Sequence, residues 1–272
     1  MKKFFLIALT ALWLFADSAV ERAALLLDDA TVRSHKRLIA LLFEDDGRFR
    51  HGSGYDMVKI ASVLKENGLL HLKLPRFETV ELTFESGAGN PLFFMKAVDE
   101  VLRSLGMASF MSRHARLDGN GFIWRVAFRT DAVPDPVLMA KRFAKRGAEV
   151  VDMQRLEGGQ WRYRIDMSRA RIEAVLVHAG DIRKIVRPVR PVWVDVSKIK
   201  NLTIQELPGS HWYADVVVYD KMLRILSIKQ NDTRTRYVRL RLPSDAAYVK
   251  IGDRFTLENL RSGVKLSARG ER

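Results

Sequence analysis

Between residues 79 and 167 one supersecondary pattern occurs twice, and this repetition constrains the fold more than any other feature of the chain. Val80, Leu82 and Phe84 alternate with Glu81, Thr83 and Glu85, the period-two pattern of a half-buried strand. Asn90-Pro91 then opens a helix that runs to Gly106, because asparagine caps a helix N-terminus well and proline suits the first turn. A strand over 109–117, the turn Asp118-Gly119-Asn120-Gly121 and a strand over 122–129 follow. Asp135-Pro136 opens a second helix ending at Gly147, after which come a strand over 148–155, a Gly158-Gly159 turn and a strand over 161–166.

This order, strand, helix, strand, strand, helix, strand plus one extra strand, is that of the ferredoxin-like βαββαβ unit, in which two helices cover one face of an antiparallel sheet. The expected core is Val80, Leu82, Phe84, Trp124, Val126 and Phe128, with Glu81, Thr83 and Glu85 on the open face. Arg125 and Arg129 share the open-face parity of the neighbouring strand and are expected to pair with those glutamates across the sheet. An RNA-binding sheet stacks bases on aromatics of its open face. Two acids in that position repel phosphate, which argues against nucleic acid.

Around this unit the chain reads as α+β. Apolar residues at helical spacing predict a helix over 19–43, a polar loop over 44–56 and a second amphipathic helix from Met57 that stops at Gly68. From residue 192 onward, short strands at regular spacing (202–207, 212–219, 222–228, 236–242, 247–251, 255–260 and 264–267) predict a sandwich or barrel. The stretch DIRKIVRPVRP, 181–191, reads as a basic linker stiffened by Pro188 and Pro191, extended on the surface with Val189 and Val192 packed against one domain. The expected organisation is therefore a signal peptide over 1–18, a helical region over 19–70, a ferredoxin-like domain over 71–180, the linker over 181–191 and a C-terminal β-sandwich over 192–272.

The signal is read from Lys2 and Lys3 followed by the charge-free run Phe4 to Phe15, about a dozen residues against the roughly 20 that span a bilayer. Ala16 and Ser18 suit a cut after Ser18. The expectation is a cleaved, periplasmic protein that is not integral to the membrane. The chain contains no cysteine, which excludes disulfides, thiol catalysis and Cys-ligated zinc, so stability has to come from a core. A formal charge of +14 points to an acidic partner. Export leaves anionic lipid, anionic glycan or peptidoglycan, or an acidic protein face.

No motif names a reaction. The six histidines are scattered singly, with no HExxH among them, and no GxSxG or Walker loop is present. Ser53 in HGSGYD lacks the strand-turn-helix setting of a nucleophile elbow. Gly87-Ala88-Gly89 lacks the further glycine and lysine of a phosphate loop, and Arg129 stands where a calcium loop starting at Asp118 needs glutamate. Neither a cofactor nor a metal is expected. The candidate partner-binding residues are basic: Arg183, Lys184, Arg187 and Arg190 in the linker, and Tyr237, Arg239 and Arg241, which share one face of a strand.

The segments NPLFFMKAVDEVLRSLG (90–106), DPVLMAKRFAKRG (135–147), WRYRIDMS (161–168) and WVDVSKIKNL (193–202) resemble a group of uncharacterised exported proteins of epsilon-class proteobacteria. More loosely, the ferredoxin-like part is similar to periplasmic domains of pilus and secretion assembly platforms. That resemblance implies an interaction module. The expected function is a non-enzymatic periplasmic interaction or scaffold protein docking onto an envelope assembly, with a glycan- or peptidoglycan-binding protein acting through the C-terminal β-domain as the alternative.

Overall fold

The structure is a computed structural model that describes residues 18–87 and 89–272. The expected signal peptide, apart from Ser18, lies outside the described residues. With 41% of residues in strands and 25% in helices, spread over several sheets, the chain is α+β. It divides into two compact units. The first takes the described part of Met1–Glu85 with Met107–Arg116 and Ile123–Asp166; the second takes Ser86–Gly106, Leu117–Phe122 and Met167–Arg272. These units cut across the segmentation expected from the sequence.

The first unit begins with three short helices, α1 (Ala19–Ala24), α2 (Asp29–Ser34) and α3 (Lys36–Leu42), where the apolar spacing predicts a single one. The break has a local cause: Asp28 is extended (φ −80°, ψ 155°), and its carboxylate accepts the N–H of Thr31 at 2.9 Å, ending α1 and capping α2. A hairpin follows, β1 (Arg50–His51) and β2 (Gly54–Tyr55), with Gly52 at φ 57° in its tip. Asp56 then caps α4 (Met57–Glu66) by accepting the N–H of Lys59 at 2.8 Å, and Gly68 at φ 70° ends it.

The repeated pattern yields β3 (Lys73–Ser86), α5 (Pro91–Ser104), β4 (Met111–Asp118), β5 (Gly121–Ala132), α6 (Pro136–Ala144), β6 (Glu149–Arg155) and β7 (Trp161–Asp166). Asn90 and Asp135 are the helix caps, as expected. The strand order is β4-β5-β3-β7-β6. The last strand of the repeat, β6, is therefore at the edge, and β7 lies between it and β3, parallel to β3 from Leu82↔Trp161 to Glu85↔Arg164. The sheet is mixed, where an antiparallel one was expected. The physical reason is the apolar load of β7: Trp161, Tyr163 and Ile165 are buried, with Phe84 stacked on Tyr163 at 5.6 Å, whereas β6 exposes Val151. Strand parity follows the sequence: Val80, Leu82, Phe84, Trp124, Val126 and Phe128 are all buried, and Glu81 and Glu85 are not. Glu81 lies 3.9 Å from both Arg113 and Arg125, and Glu85 lies 3.4 Å from Arg162. Arg129 instead lies over the Phe77 ring, at 5.1 Å.

The second unit contains α5 and nine strands: β8 (Val175–Leu176), β9 (Ile182–Ile185), β10 (Val192–Asp195), β11 (Ile199–Glu206), β12 (Ala214–Asp220), β13 (Ile225–Gln230), β14 (Tyr237–Arg241), β15 (Ala246–Asp253) and β16 (Val264–Glu271). They form one sheet in the order β13-β12-β15-β10-β8 and another in the order β14-β11-β16-β9. Inward residues of both join a single core that includes Val194, Leu202, Ile204, Trp212, Val216, Val249 and Leu266. Trp212, fully buried, donates its indole N–H to the Gly252 carbonyl at 2.7 Å. The strand expected over 255–260 is instead a 3-10 turn, Leu257–Leu260, capped by Thr256. The expected linker is in part a strand, since β9 pairs antiparallel with β16 at the sheet edge, and Val189 is 93% exposed, not packed. A four-residue edge strand needs only one partner, so flanking prolines do not exclude it.

A candidate anion-binding face

Burial alternates strictly along β14: Val238 and Leu240 enter the core while Tyr237, Arg239 and Arg241 are exposed. The ladders carry this outward parity across the whole sheet. Tyr237 faces Gln205, which faces Lys265, which faces Lys184. Arg239 faces Thr203, then Ser267, then Ile182. Arg241 faces Asn201, then Arg269. Three strand spacings separate β14 from β9, so Lys184, Lys265, Arg239, Arg241 and Arg269 share a patch about 14 Å across.

No carboxylate interrupts these three rows; Glu271 stands at the margin, two residues beyond Arg269. Lys184 and Lys265 are direct cross-strand neighbours, an arrangement that disfavours two like charges. Among the described residues none of the five cations forms an ion pair, although Arg234, Arg254 and Arg224 of the same unit pair with Glu206, Asp232 and Asp220 at 2.8, 3.0 and 2.5 Å. The Arg239 guanidinium sits 4.7 Å from the Tyr237 ring centroid, so the aromatic and the cation form one platform. Lys229 ties this strand in place by donating to the Arg239 carbonyl at 2.9 Å.

The structure thus splits the linker cluster. Lys184 joins the β14 residues on one face. Arg183 points to the other side, 3.3 Å from Asp181, whose carboxyl is held below its usual range by the N–H of His178 and further by Arg183. Arg187, at φ 49°, follows β9, and Arg190 lies 3.4 Å from Glu173. Lys265 and Arg269 were missed from sequence. Their signal was present in VKLSARGE, where Lys265, Ser267 and Arg269 alternate with Val264, Leu266 and Ala268, but only the register shows which strand they face.

Among the described residues no cluster of three or more His, Asp or Glu could hold a metal ion, and no helix is long and apolar enough to cross a membrane. Compared with family models, curated proteins and solved structures, the chain matches none.

Proposed function

We propose that the chain is an exported, non-enzymatic envelope protein that docks through the outer face of the β14-β11-β16-β9 sheet onto an acidic protein surface. The observation that carries this reading is the uninterrupted row structure of the face: five cations at sheet spacing, none neutralised by an ion pair among the described residues. A regular array of exposed cations suits a surface with many carboxylates better than a small molecule, because each exposed pair contributes little and the sum depends on number. Export rests on the sequence of the first 18 residues. The β3 to β6 order is read as a ferredoxin-like core into which β7 has been inserted, and the loose resemblance to periplasmic interaction domains read from the sequence supports a docking role. A second reading, an anionic glycan or peptidoglycan as partner, is favoured by the Tyr237–Arg239 platform, since an aromatic face beside a cation suits sugar rings bearing carboxylates.

The test is association with isolated envelopes and, separately, with purified sacculi across a salt series. Replacing Lys265, Arg239, Arg241 and Arg269 by glutamine removes four contacts of about 0.5 kcal/mol each, an expected loss of more than tenfold. A control with Arg183 and Arg190 replaced by glutamine keeps wild-type binding. Retention on sacculi alone selects the glycan reading, and equal binding of both variants refutes the face.

A further inference from the structure

The HGSGYD segment, part of the polar loop expected over 44–56, forms the lip of a cavity of about 580 Å3 in the first unit. The β1–β2 hairpin, the first turn of α4, the later turns of α6 and the edge strand β6 enclose it. A β-bulge between Val150 and Asp152 leaves Val151 exposed and sets Asp152 opposite Arg164 on β7. Bulges of this kind re-aim a side chain, often beside a site.

Asp152 is only 9% exposed and lines this cavity. Its Oδ2 is 3.9 Å from Arg22, too far for a hydrogen bond, and its Oδ1 has no partner. Burial pushes its carboxyl up, against the pull of Arg22 and Arg164. A buried acceptor left unsatisfied destabilises the free protein, and a donor brought by a ligand would recover that cost. The rest of the lining carries both signs: Arg22, Lys141 and Arg164 against Glu149, whose carboxylate lies 3.5 Å from His51 at the mouth. A cation would meet repulsion from Arg22, Lys141 and Arg164 and an anion from Glu149, Asp152 and Asp56, which also line it, and the volume is that of a small-molecule site.

We propose that this cavity binds a small zwitterion of the amino-acid or short-peptide class, its ammonium donating to Asp152 Oδ1 and its carboxylate held among Arg22, Arg164 and Lys141. The site is independent of the docking face, which belongs to the second unit.

Calorimetry on the purified protein tests this with a panel of free dipeptides headed by L-alanyl-L-alanine, the C-terminal amide and the N-acetyl derivative of each, and N-acetylglucosamine as a neutral polyol. At least one free dipeptide should bind, with both of its derivatives weaker by tenfold or more. Asp152→Asn, close in shape, should weaken it at least tenfold, and Ala144→Trp, at an exposed lining position where folding is little affected, should abolish it. The proposal is overturned by no dipeptide binding, by derivatives binding as well as the free peptide, by binding of the sugar alone, or by wild-type affinity in the Ala144→Trp variant.

Discussion

Gly263 fixes β9 against β16, and its replacement by alanine has a calculable cost. Gly263 has φ 97°, and a Cβ built there would stand 1.8 Å from the Ile185 carbonyl oxygen and 2.8 Å from Val186 Cα. All of these are backbone atoms, so no rotamer change relieves the clash; β9 must move by roughly 1 Å, which opens the ladder at Val264↔Ile185 and Lys265↔Lys184. A left-handed backbone costs a non-glycine residue about 1–2 kcal/mol. Losing two ladder hydrogen bonds adds about 2 kcal/mol. The expected destabilisation is therefore about 3–4 kcal/mol, measured by urea unfolding followed by far-UV circular dichroism. Gly180→Ala is the matched control: its φ is 90°, and nothing lies within 4 Å of the added Cβ, so only the backbone part, about 1–2 kcal/mol, should appear. Amide exchange supplies the second readout, with protection lost at Ile182–Ile185 in the Gly263 variant and kept in the control. A Gly263→Ala protein no less stable than the Gly180→Ala protein, with β9 still protected, would show that the edge strand is not held as described.

Asp220→Asn should destabilise the protein by about 2 kcal/mol near neutral pH, because Asp220 is 4% exposed and accepts from the N–H groups of Met222 and Arg224 at 2.8 Å and from the Arg224 guanidinium. Burial pushes this carboxyl up, but those donors together hold it below its usual value, so its stabilisation is present above the unfolded value of 3.8 and lost as pH falls through the folded pKa; the two proteins should converge in acid, and a gap that persists there would contradict the assignment. The four-glutamine variant of the docking face should be at least as stable as the parent, with the gain shrinking as salt screens the repulsion, and a clear loss of stability at low salt would mean that these cations serve the fold.

What was legible in the sequence was local. Asn90-Pro91, Asp135-Pro136 and the glycines after each helix specify their ends through side-chain caps and positive φ, interactions that close within a few residues. Parity in β3 was equally plain, since Glu81 and Glu85 have no place in the core that takes Leu82 and Phe84. The split of the first helix is written in Asp28-Asp29, a capping signal that interrupts the apolar spacing. Strand order was not legible in this way. Whether β6 or β7 lies beside β3 depends on which buries more against residues some 80 positions away, and a pattern of alternation is the same for an inner strand and an edge. The same holds for β9, whose four residues become a strand only because β16 offers an edge.

The proposed docking face shows why a site can be half visible. Tyr237, Arg239 and Arg241 could be placed on one side of one strand from alternation alone. Their kinship with Lys184, Lys265 and Arg269 exists only through the register of three ladders, and a shift of one residue in any of them would turn part of the array into the core. The inward side of this sheet is fixed by burial: Leu202, Ile204, Val238, Leu240, Val264 and Leu266 leave no freedom there. The outward side has no such constraint, and a stable sheet would be expected to intersperse acids among its cations, as the Arg234–Glu206 and Arg254–Asp232 pairs do nearby. Repulsion between Lys184 and Lys265, directly opposite each other, works against the fold that presents them. The core does not require this charge pattern and the sheet would be more stable without it, which is what the proposed docking onto a carboxylate-bearing surface accounts for.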